Sequence, residues 1–539
     1  MEKQAIIHVE NTEGIVEFAK FLTDAGWTIL SANKTEELLK KEKIPVTKEQ
    51  ALIDNNLFIA DTSALIQRIL TSSFCENNNT ALQQDAEIGI VCVNVSPALH
   101  SINTEQKLKS IARPYNFFLS TVLRNSFVNY ENILILSDPE DYKEAIVQIR
   151  NDNITSEFRT YLAAKALNLV SAFDGGIASS LLLHSIEKNE FMRYLTYPFE
   201  KQMVLHHGSN KQQNSCLYKF PNGTGAINDL QKQQGKQLSY NTLSDISFAW
   251  EQISMLSTNL KNQFAVKSTN CDGYNYETQF TSLTGTVFTI AVRYKSILGA
   301  SLSTNVLDSF RNTYTYDKEN IPKVTFACSA VIDEEAASEI VKCNFAAIVA
   351  PGFTQEAKKI FSSDSNLILI QLAKISTTDY DLELINGGLL FQTKDNVLFD
   401  HWNIKTKNRP SQYLTDEMAL GMILAMGSRS YSSVLLKNNA VIGISQACKS
   451  PNRSVDVALL EAKLFASNNP EKENDDNKIA DLLVCDSAVS LCDSIKELID
   501  KGLSAIIQTG GKPGDDDFIA YCNEHSVTMI FTNTSHISY

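Results

Sequence analysis

The segment FAVKSTNCDG, residues 264–273, combines residue types that could hold an anionic ligand. Its apolar run at 264–266 is typical of the end of a buried strand, and Lys267, a polar turn with Asn270, and Gly273 follow. A lysine at the end of a strand, followed by small polar residues and a glycine, can bind an anion. The alternative is a strand-to-turn junction whose lysine is solvated, and the surrounding elements must decide between the two.

Length and charge bound the class of protein. A chain of 539 residues is too long for one hydrophobic core, so two to four domains are expected. The net charge of −14 argues against nucleic acid and against an anionic membrane surface as partners. No apolar run reaches membrane-spanning length, and the start MEKQAIIHVE lacks the apolar region of a signal peptide. We therefore expect a cytoplasmic protein.

The cysteines and histidines do not predict a metal site. Ten cysteines are scattered along the chain without a CxxC pair, and the closest two are Cys485 and Cys492. We interpret them as reduced thiols, mostly in cores. The adjacent His206 and His207 point apart on a strand or helix, so a shared metal ion is not expected.

The first 190 residues alternate between strand and helix patterns. Strands are predicted at 5–9, 27–30, 88–95 and 132–136, and helices from Ile15, Thr35, Pro139 and about residue 155. This order predicts an α/β domain with a parallel sheet. Ligands of such sheets bind at the carboxyl ends of the strands. The loop after the first strand carries Glu10 and Glu13, which disfavour a phosphate there, whereas the loop at 31–35 is more favourable.

Five segments of this domain carry a resemblance to a known family. They are AIIHVENTEGIVEFAKFL, ILSANKTEELLKKEKIPVT, VCVNVSP, LRNSFVNYENILILSDPEDY and LAAKALNLVSAFDGGIA. In order and spacing they resemble the bifunctional purine-biosynthesis family, which joins AICAR formyltransferase to IMP cyclohydrolase. The resemblance implies a methylglyoxal-synthase-like first domain that closes the purine ring. It also implies an AICAR-like nucleotide and 10-formyltetrahydrofolate as substrates, no metal, and a homodimer.

The first domain departs from the chemistry of the family. The S-D-K-T-G loop of the family stands here as residues 10–14, ENTEG, and its K-T-L-H-P motif is not recognisable at 59–70. Family tyrosine, aspartate and lysine positions are occupied by Ser96, Asn116 and Val128. Asparagine cannot serve as a carboxylate base, and valine cannot donate a proton. We therefore predict that cyclohydrolase activity is lost and that this domain survives as a structural or dimerising part.

A second block of matches lies further along the chain. Residues 233–252, QQGKQLSYNTLSDISFAWEQ, match the family pattern Q-G-K-x-L-S-Y-N-x-x-x-D. Before it, the segment at 191–202 retains the first two residues of the family motif R-Y-G-x-N-P-H-Q. The resemblance implies substrate-binding roles for Arg193, Tyr194, Lys236, Ser239, Tyr240 and Asn241. The alternative for the 233–252 block is a helix entry that packs a core and persists without catalysis.

The opening segment stands where the family has K-H-x-N-P-C-G. Lys267, Asn270 and Gly273 match, and Ser268 replaces the histidine. The resemblance implies that the family histidine is the base that takes a proton from the AICAR amine during formyl transfer. A serine hydroxyl does not act as a base near neutral pH without help, so Lys267 and Ser268 mark an altered catalytic centre.

Other family positions are partly kept. Gly299 matches a turn that the resemblance assigns to substrate binding, and Asp486 matches a family aspartate with a catalytic role. The family motif K-S-N has become Arg-Ser-Tyr at 429–431, and most glycines of a later loop are missing at 443–451. The binding surface is therefore expected to be altered as well.

The second half of the chain repeats itself. SAV at 329–331 and AAIVAPG at 346–352 recur 158 residues later as SAV and SAIIQTG. Each copy is predicted to be a strand, a helix and a strand. Two related α/β subdomains follow, which the resemblance identifies as cytidine-deaminase-like units of the formyltransferase half. The expected domains are 1–190, 191–355 and 356–539.

Three hypotheses about function remain open at this point. The first is a divergent homologue with reduced or lost activity that acts as a nucleotide- or folate-binding, regulatory or structural protein. The second is an active AICAR formyltransferase with altered site residues. The third is a different reaction on a related nucleotide or folate.

Overall fold

The fold is that of a computed structural model in which the chain forms two units. The first unit comprises residues 1–201 and 218–223, and the second comprises 202–217 and 224–539. The structure describes residues 2–52, 59–72, 86–95, 117–185, 191–219, 225–261, 265–269, 275–279, 286–316, 322–373, 375, 380–399, 402–411, 414–469 and 478–538. Each unit is described by itself below.

Strands and helices alternate through the first unit. Its described elements are β1 (Glu2–His8), α1 (Ile15–Asp24), β2 (Thr28–Ser31), α2 (Asn33–Lys41), β3 (Thr47–Lys48), α3 (Ile59–Thr71), β4 (Ala86–Val93), α4 (Phe117–Val128), β5 (Leu134–Leu136), α5 (Tyr142–Arg150) and α6 (Ser156–Ser185). The strands form one sheet in the order β3-β2-β1-β4-β5, and every pairing is parallel. The predicted parallel sheet is confirmed.

Local sequence accounts for these elements. In α1, the side chains of Ile15, Phe18, Ala19 and Leu22 are buried, because their spacing puts them on one face of the helix. At the end of β5 the Asp138 side chain accepts a hydrogen bond from the backbone N–H of Glu140 across Pro139, as expected for a helical start.

Two short strands, β6 (Glu200–Val204) and β7 (Cys216–Lys219), pair with each other before the second unit's main sheet. The elements that follow are β8 (Gln231–Gln234), α7 (Tyr240–Lys261), β9 (Ala265–Thr269), β10 (Asn275–Gln279), β11 (Val287–Arg293), β12 (Ser296–Ser303), α8 (Val306–Tyr316), β13 (Thr325–Cys328), α9 (Glu334–Ile340), β14 (Ala347–Ala350), α10 (Gln355–Phe361), β15 (Ile368–Gln371), β16 (Tyr380–Ile385), β17 (Gly388–Thr393), β18 (Asn403–Ile404), α11 (Thr415–Gly427), β19 (Ser433–Lys437), β20 (Ala440–Ser445), α12 (Pro451–Asn468), β21 (Leu482–Cys485), α13 (Asp493–Asp500), β22 (Ala505–Gln508), α14 (Asp515–Glu524) and β23 (Thr528–Phe531).

A twelve-stranded mixed sheet runs through the second unit in two matching halves. From its centre outwards, one half reads β12-β11-β13-β14-β15-β8 and the other reads β20-β19-β21-β22-β23-β18. In each half an antiparallel hairpin is followed by three parallel strands and an antiparallel edge strand. Ser301 of β12 pairs with Ala440 of β20 where the halves meet. The strand–helix–strand repeat predicted from the sequence is therefore present in the fold.

The sheet separates two layers of helices. On β11 the side chains of Phe288, Ile290 and Val292 lie in the core that contains α7 and α11, whereas Val287 and Ala291 face the core of α8, α9 and α10. The equivalent outer core of the other half contains α12, α13 and α14. Strand β15 pairs with β14 and therefore lies in the first half of the sheet.

The described residues contain no helix that is both long and apolar enough to cross a membrane.

Candidate functional site

Lys267 and Ser268 lie within a strand. The expected strand end before Lys267 is wrong, because β9 continues to Thr269. It pairs antiparallel with β10, which sets Lys267 opposite Glu277 and Ser268 opposite Tyr276. Backbone pairing with a second strand extends the ladder across polar residues that sequence alone assigns to a turn. The predicted residues Asn270 and Gly273 lie outside the described part of the chain.

The block at 236–241 forms the entry to α7. The Ser239 hydroxyl accepts a hydrogen bond from the N–H of Thr242 at 3.3 Å, which is the geometry of an N-cap. Asn241 Nδ2 donates to the carbonyl of Ser209 at 3.0 Å. Tyr240 keeps a half-exposed side chain, and Lys236 is exposed. Ser239 and Asn241 thus have structural partners, while Tyr240 and Lys236 present groups to solvent.

Arg193 and Tyr194 contact each other at the surface. The guanidinium carbon of Arg193 lies 5.5 Å from the centroid of the Tyr194 ring, a cation–π geometry. Tyr194 is 78% exposed, so both groups are accessible to a ligand.

Gly299 occupies a tight packing position in β12. A Cβ atom there would lie 2.6 Å from the backbone oxygen of Thr313 in α8. In the other half of the sheet, a Cβ atom at Gly443 of β20 would lie 2.2 Å from the backbone oxygen of Ala458 in α12. Both glycines therefore let a helix approach its strand closely, and this packing explains Gly299 without any ligand.

Asp486 is a predicted site residue whose carboxyl group is buried and hydrogen-bonded. It follows β21 and is 1% exposed. Its Oδ2 accepts from the N–H of Ser432 at 3.0 Å, and its Oδ1 accepts from the hydroxyl of Ser487 at 3.0 Å. Burial raises the pKa of Asp486, and hydrogen bonds from Ser430, Ser487 and Ser432 offset part of that rise. A carboxyl group held this way can exchange a proton closer to neutral pH than an exposed one.

The sequence did not predict that His536 lies next to Asp486. The N–H of His536 donates to the backbone carbonyl of Asp486 at 3.1 Å. The buried imidazole of His536 has Nδ1 2.6 Å from Oδ2 of Asp395 and Nε2 2.7 Å from the carbonyl oxygen of Leu398. Burial alone would lower the pKa of His536, but the hydrogen bond and charge of Asp395 raise it above its usual value. A histidine 141 residues away from its carboxylate leaves no local signal in the sequence.

The predicted site residues do not form one cluster in the described parts of the chain. Arg193 contacts Tyr194, and residues 239–241 adjoin one another at the start of α7. Among the described hydrogen bonds of Asp486, none goes to another predicted site residue. Within the same described residues, no three His, Cys, Asp or Glu side chains lie close enough to hold a metal ion.

In the first unit, side-chain hydrogen bonds from Asn94 and Asn11 hold the loop after β1. The Asn94 side-chain oxygen accepts from the N–H groups of Glu10 at 2.7 Å and Asn11 at 3.0 Å. The Asn11 side chain in turn accepts from the N–H of Glu13. Glu10 and Glu13 are exposed. The N–H groups of Glu10, Asn11 and Glu13 are therefore already bonded, and the two exposed carboxylates of this loop disfavour a phosphate.

Comparison with known proteins shows to which family the chain is related. Residues 128–461, more than half of the chain, match the family model described as the AICARFT/IMPCHase bienzyme. The chain belongs to this family. Two proteins named bifunctional purine biosynthesis protein PurH match over 100% of both chains, that of Clostridium acetobutylicum at 27% identity and that of Thermoanaerobacter sp. at 28%. A solved structure titled crystal structure of ForH covers 33% of this chain and 98% of its own at 20% identity, with a TM-score of 0.28, which is too low to inform the fold.

The resemblance identified from the sequence is thus confirmed as membership of the AICARFT/IMPCHase bienzyme family. At 27–28% identity to these two PurH proteins, the chain is a divergent member.

Proposed function

We propose that this chain is a member of the bienzyme family that keeps the framework of the purine-biosynthesis enzyme and has lost most of its formyl transfer and all of its ring closure. The observation that carries the proposal is Ser268, which stands beside Lys267 where the family resemblance implies a histidine base. Loss of a general base lowers a rate by about 10²–10⁴. The lost K-S-N and glycine-loop positions weaken the orientation of the substrates further.

The first unit supports the same proposal for ring closure. The loop after β1 uses its own N–H groups internally through Asn94, and it carries Glu10 and Glu13 where a phosphate would sit. We propose that this unit, as a methylglyoxal-synthase-like domain over about 1–190, acts as a structural or dimerising part.

For the second unit we propose two cytidine-deaminase-like repeats with the division after β15 rather than at residue 355, since β15 pairs with β14. By family, its substrates are an AICAR-like nucleotide and 10-formyltetrahydrofolate, used by a cytoplasmic homodimer without a metal. In this unit the exposed Lys236 and Tyr240 suit a retained anionic ligand, and in the first unit the exposed Arg193 and Tyr194 remain proposed binding positions. Lys267 and Asp486 remain the proposed catalytic positions, and Asn270 and Gly273 remain proposed binding positions.

Formyl transfer is the test of this proposal. The purified protein is incubated with AICAR and 10-formyltetrahydrofolate, and formation of tetrahydrofolate is followed by absorbance. We expect little or no product, and we expect Ser268→His to raise the rate while Ser268→Gln, a polar control without a base, does not. Wild-type turnover in the usual enzyme range of about 1–10³ s⁻¹ would refute the proposal and establish the active formyltransferase instead.

Binding measurements separate lost catalysis from lost recognition. Calorimetry with AICAR in the absence of folate is expected to show binding if the protein has kept a regulatory or binding role. Calorimetry with IMP is expected to show none at the first unit, and tight binding of IMP there would contradict the argument from Asn94, Glu10 and Glu13.

A further inference from the structure

His536 is held between two hydrogen-bond acceptors. Its Nδ1 lies 2.6 Å from Oδ2 of Asp395, and its Nε2 lies 2.7 Å from the carbonyl oxygen of Leu398. The Asp395 side chain is 50% exposed, while that of His536 is 2% exposed. A carboxylate and a backbone carbonyl can only accept, so both ring nitrogens must donate. Only the imidazolium form of His536 satisfies both acceptors at once.

The residues around His536 join the end of the chain to the Asp486 site. The N–H of His536 donates to the carbonyl of Asp486 at 3.1 Å, and the Ser430 hydroxyl donates to the carbonyl of His536 at 3.2 Å. Ser538 completes the contact, since its N–H donates to Ser430 Oγ at 3.0 Å and its carbonyl accepts from the N–H of Ser430 at 2.9 Å. The single hydroxyl hydrogen of Ser430 can alternatively be donated to the carboxyl group of Asp486, where it would lower the pKa of that acid. The segment that follows β23 is thus tied across the carboxyl end of β21 at several points.

We propose that His536 is a positioning residue: as an imidazolium bonded to Asp395, it clasps residues 532–538 over the end of β21 and thereby fixes Ser430 and Asp486. Asp395 comes from the loop after β17, and Asp486 comes from the end of β21. These two carboxylates are the charged groups that favour the protonated ring. This proposal does not depend on formyl transfer, so its test is independent of the test of the proposed function.

The charge gives the clasp a pH dependence with a definite sign. Because folding raises the pKa of His536, the stabilisation is complete below the ordinary value of about 6.5 and is lost as the pH rises through the higher folded value. The segment is expected to be docked near pH 6 and to open reversibly on the alkaline side.

Hydrogen exchange measured by mass spectrometry on the full chain tests the clasp. Amide exchange of residues 532–538 is followed from about pH 6 to about pH 9 and corrected for the intrinsic pH dependence of exchange. In the wild type we expect slow exchange at the acid end and faster exchange at the alkaline end, because the ring of His536 loses its proton and one of its two hydrogen bonds there. His536→Gln, which can donate to only one of the two acceptors, and Asp395→Asn are expected to exchange fast at both ends.

His525 supplies the matched control. It lies in the same half of the sheet, and its ring stacks on Tyr521 with a centroid distance of 4.2 Å at the surface. His525→Gln should therefore leave exchange of residues 532–538 as in the wild type. Asp395→Asn changes a half-exposed side chain and keeps the test available if His536→Gln does not fold.

Histidine NMR supplies a signature that a purely structural role would not move. The ring resonance that disappears in His536→Gln is expected to titrate above the ordinary histidine pKa in the wild type and to return toward it in Asp395→Asn. A resonance that titrates at or below the ordinary value would overturn the proposal. Exchange of residues 532–538 that is equal in wild type, His536→Gln and Asp395→Asn at acid pH would overturn it as well.

Discussion

Replacement of Gly299 by alanine separates packing from substrate binding as the reason for this glycine. The added Cβ would lie 2.6 Å from the Thr313 backbone oxygen and 3.5 Å from the Thr313 Cγ2. Carbon atoms of real side chains do not approach a backbone oxygen below about 3.0 Å. Because the contacted atom belongs to the backbone of α8, no side-chain rotation relieves the overlap. The helix must move away from β12, and the hydroxyl groups of Thr289, Ser301 and Ser309 that bond each other beneath it must move with it.

The magnitude follows from the cost of overpacking a well-packed core, about 1–3 kcal/mol. With an unfolding entropy of about 2.1 cal/mol/K per residue, each kcal/mol lowers the midpoint of thermal unfolding of a unit this large by roughly 1–2 °C, so we expect a fall of roughly 1–4 °C for Gly299→Ala. Scanning calorimetry of the full chain measures it. Gly352→Ala is the matched control, because its Cβ would meet Val331 Cγ2 at an ordinary 3.6 Å, and a shift of within about 0.5 kcal/mol is expected.

The equivalent glycine in the other repeat sharpens the test. Gly443→Ala would put a Cβ atom 2.2 Å from the Ala458 backbone oxygen and 3.1 Å from the Ala462 Cβ, so its destabilisation should be at least as large. The reasoning would be refuted if Gly299→Ala unfolded at the same temperature as Gly352→Ala. In that case Gly299 would be free to serve a ligand, as the family resemblance implies.

Two further predictions concern buried polar groups. Glu417 is 3% exposed, its Oε1 accepts from the N–H of Asn439, and burial raises its pKa to about 7. Its ionisation therefore opposes folding, and stability should fall as the pH rises from about 4.5 to about 7. Glu417→Gln should exceed the wild type in urea-unfolding free energy at pH 8 by at most about 3 kcal/mol and lose that advantage below pH 5, whereas an equal difference at both pH values would contradict this. Asn94→Ala should destabilise the first unit by about 1–3 kcal/mol because it removes the hydrogen-bond acceptor of the N–H groups of Glu10 and Asn11. Hydrogen exchange of that loop should be faster in Asn94→Ala and near the wild-type rate in Asn94→Asp. Unchanged exchange in the alanine variant would contradict the role given to Asn94.

The regular elements of the first unit could be predicted because their determinants are local. The apolar spacing of α1 and the alternation of strands with helices specify an amphipathic helix on a parallel sheet, and the structure has both. The two matching halves of the twelve-stranded sheet could be predicted only from the internal repeat of the sequence. Strands such as β12 and β20 are neighbours although more than a hundred residues separate them along the chain.

Features that depend on distant partners could not be predicted in this way. Strand β9 runs through Lys267 because β10 pairs with it, which the polar sequence does not reveal. The hairpin turn between β11 and β12 places Tyr294 and Lys295 at positive φ, where these residue types are uncommon. The turn is held by Asp245 of α7, whose Oδ1 accepts from the N–H of Lys295 at 2.8 Å. In the other repeat Asn438 and Asn439 suit the same conformation by their own chemistry.

A comparison of the two halves of the sheet shows which hydrogen bond of Asp486 is present in both repeats. The register of the sheet aligns Ser329 with Asp486, one residue away from the alignment of the sequence repeat, because Cys328 and Cys485 hold equivalent places in β13 and β21. The hydroxyl of Ser329 accepts from the N–H of Phe288 at 2.9 Å. This is the bond that Asp486 Oδ2 makes to the N–H of Ser432. A serine therefore suffices to satisfy this backbone donor, so the hydrogen bond does not explain a buried carboxyl group.

The carboxylate at 486 carries a desolvation cost that Ser329 avoids, and its surroundings show what accompanies that cost. Ser487 donates to its carboxyl group, the backbone N–H of His536 donates to its carbonyl, and the charge of Asp486 contributes to the raised pKa of His536. The charge of Asp486 thus favours the protonated form of His536, while burial favours the neutral form of Asp486 itself. The buried acid at 486, with its raised pKa, is therefore a feature that the second repeat adds to a backbone hydrogen bond that both repeats share.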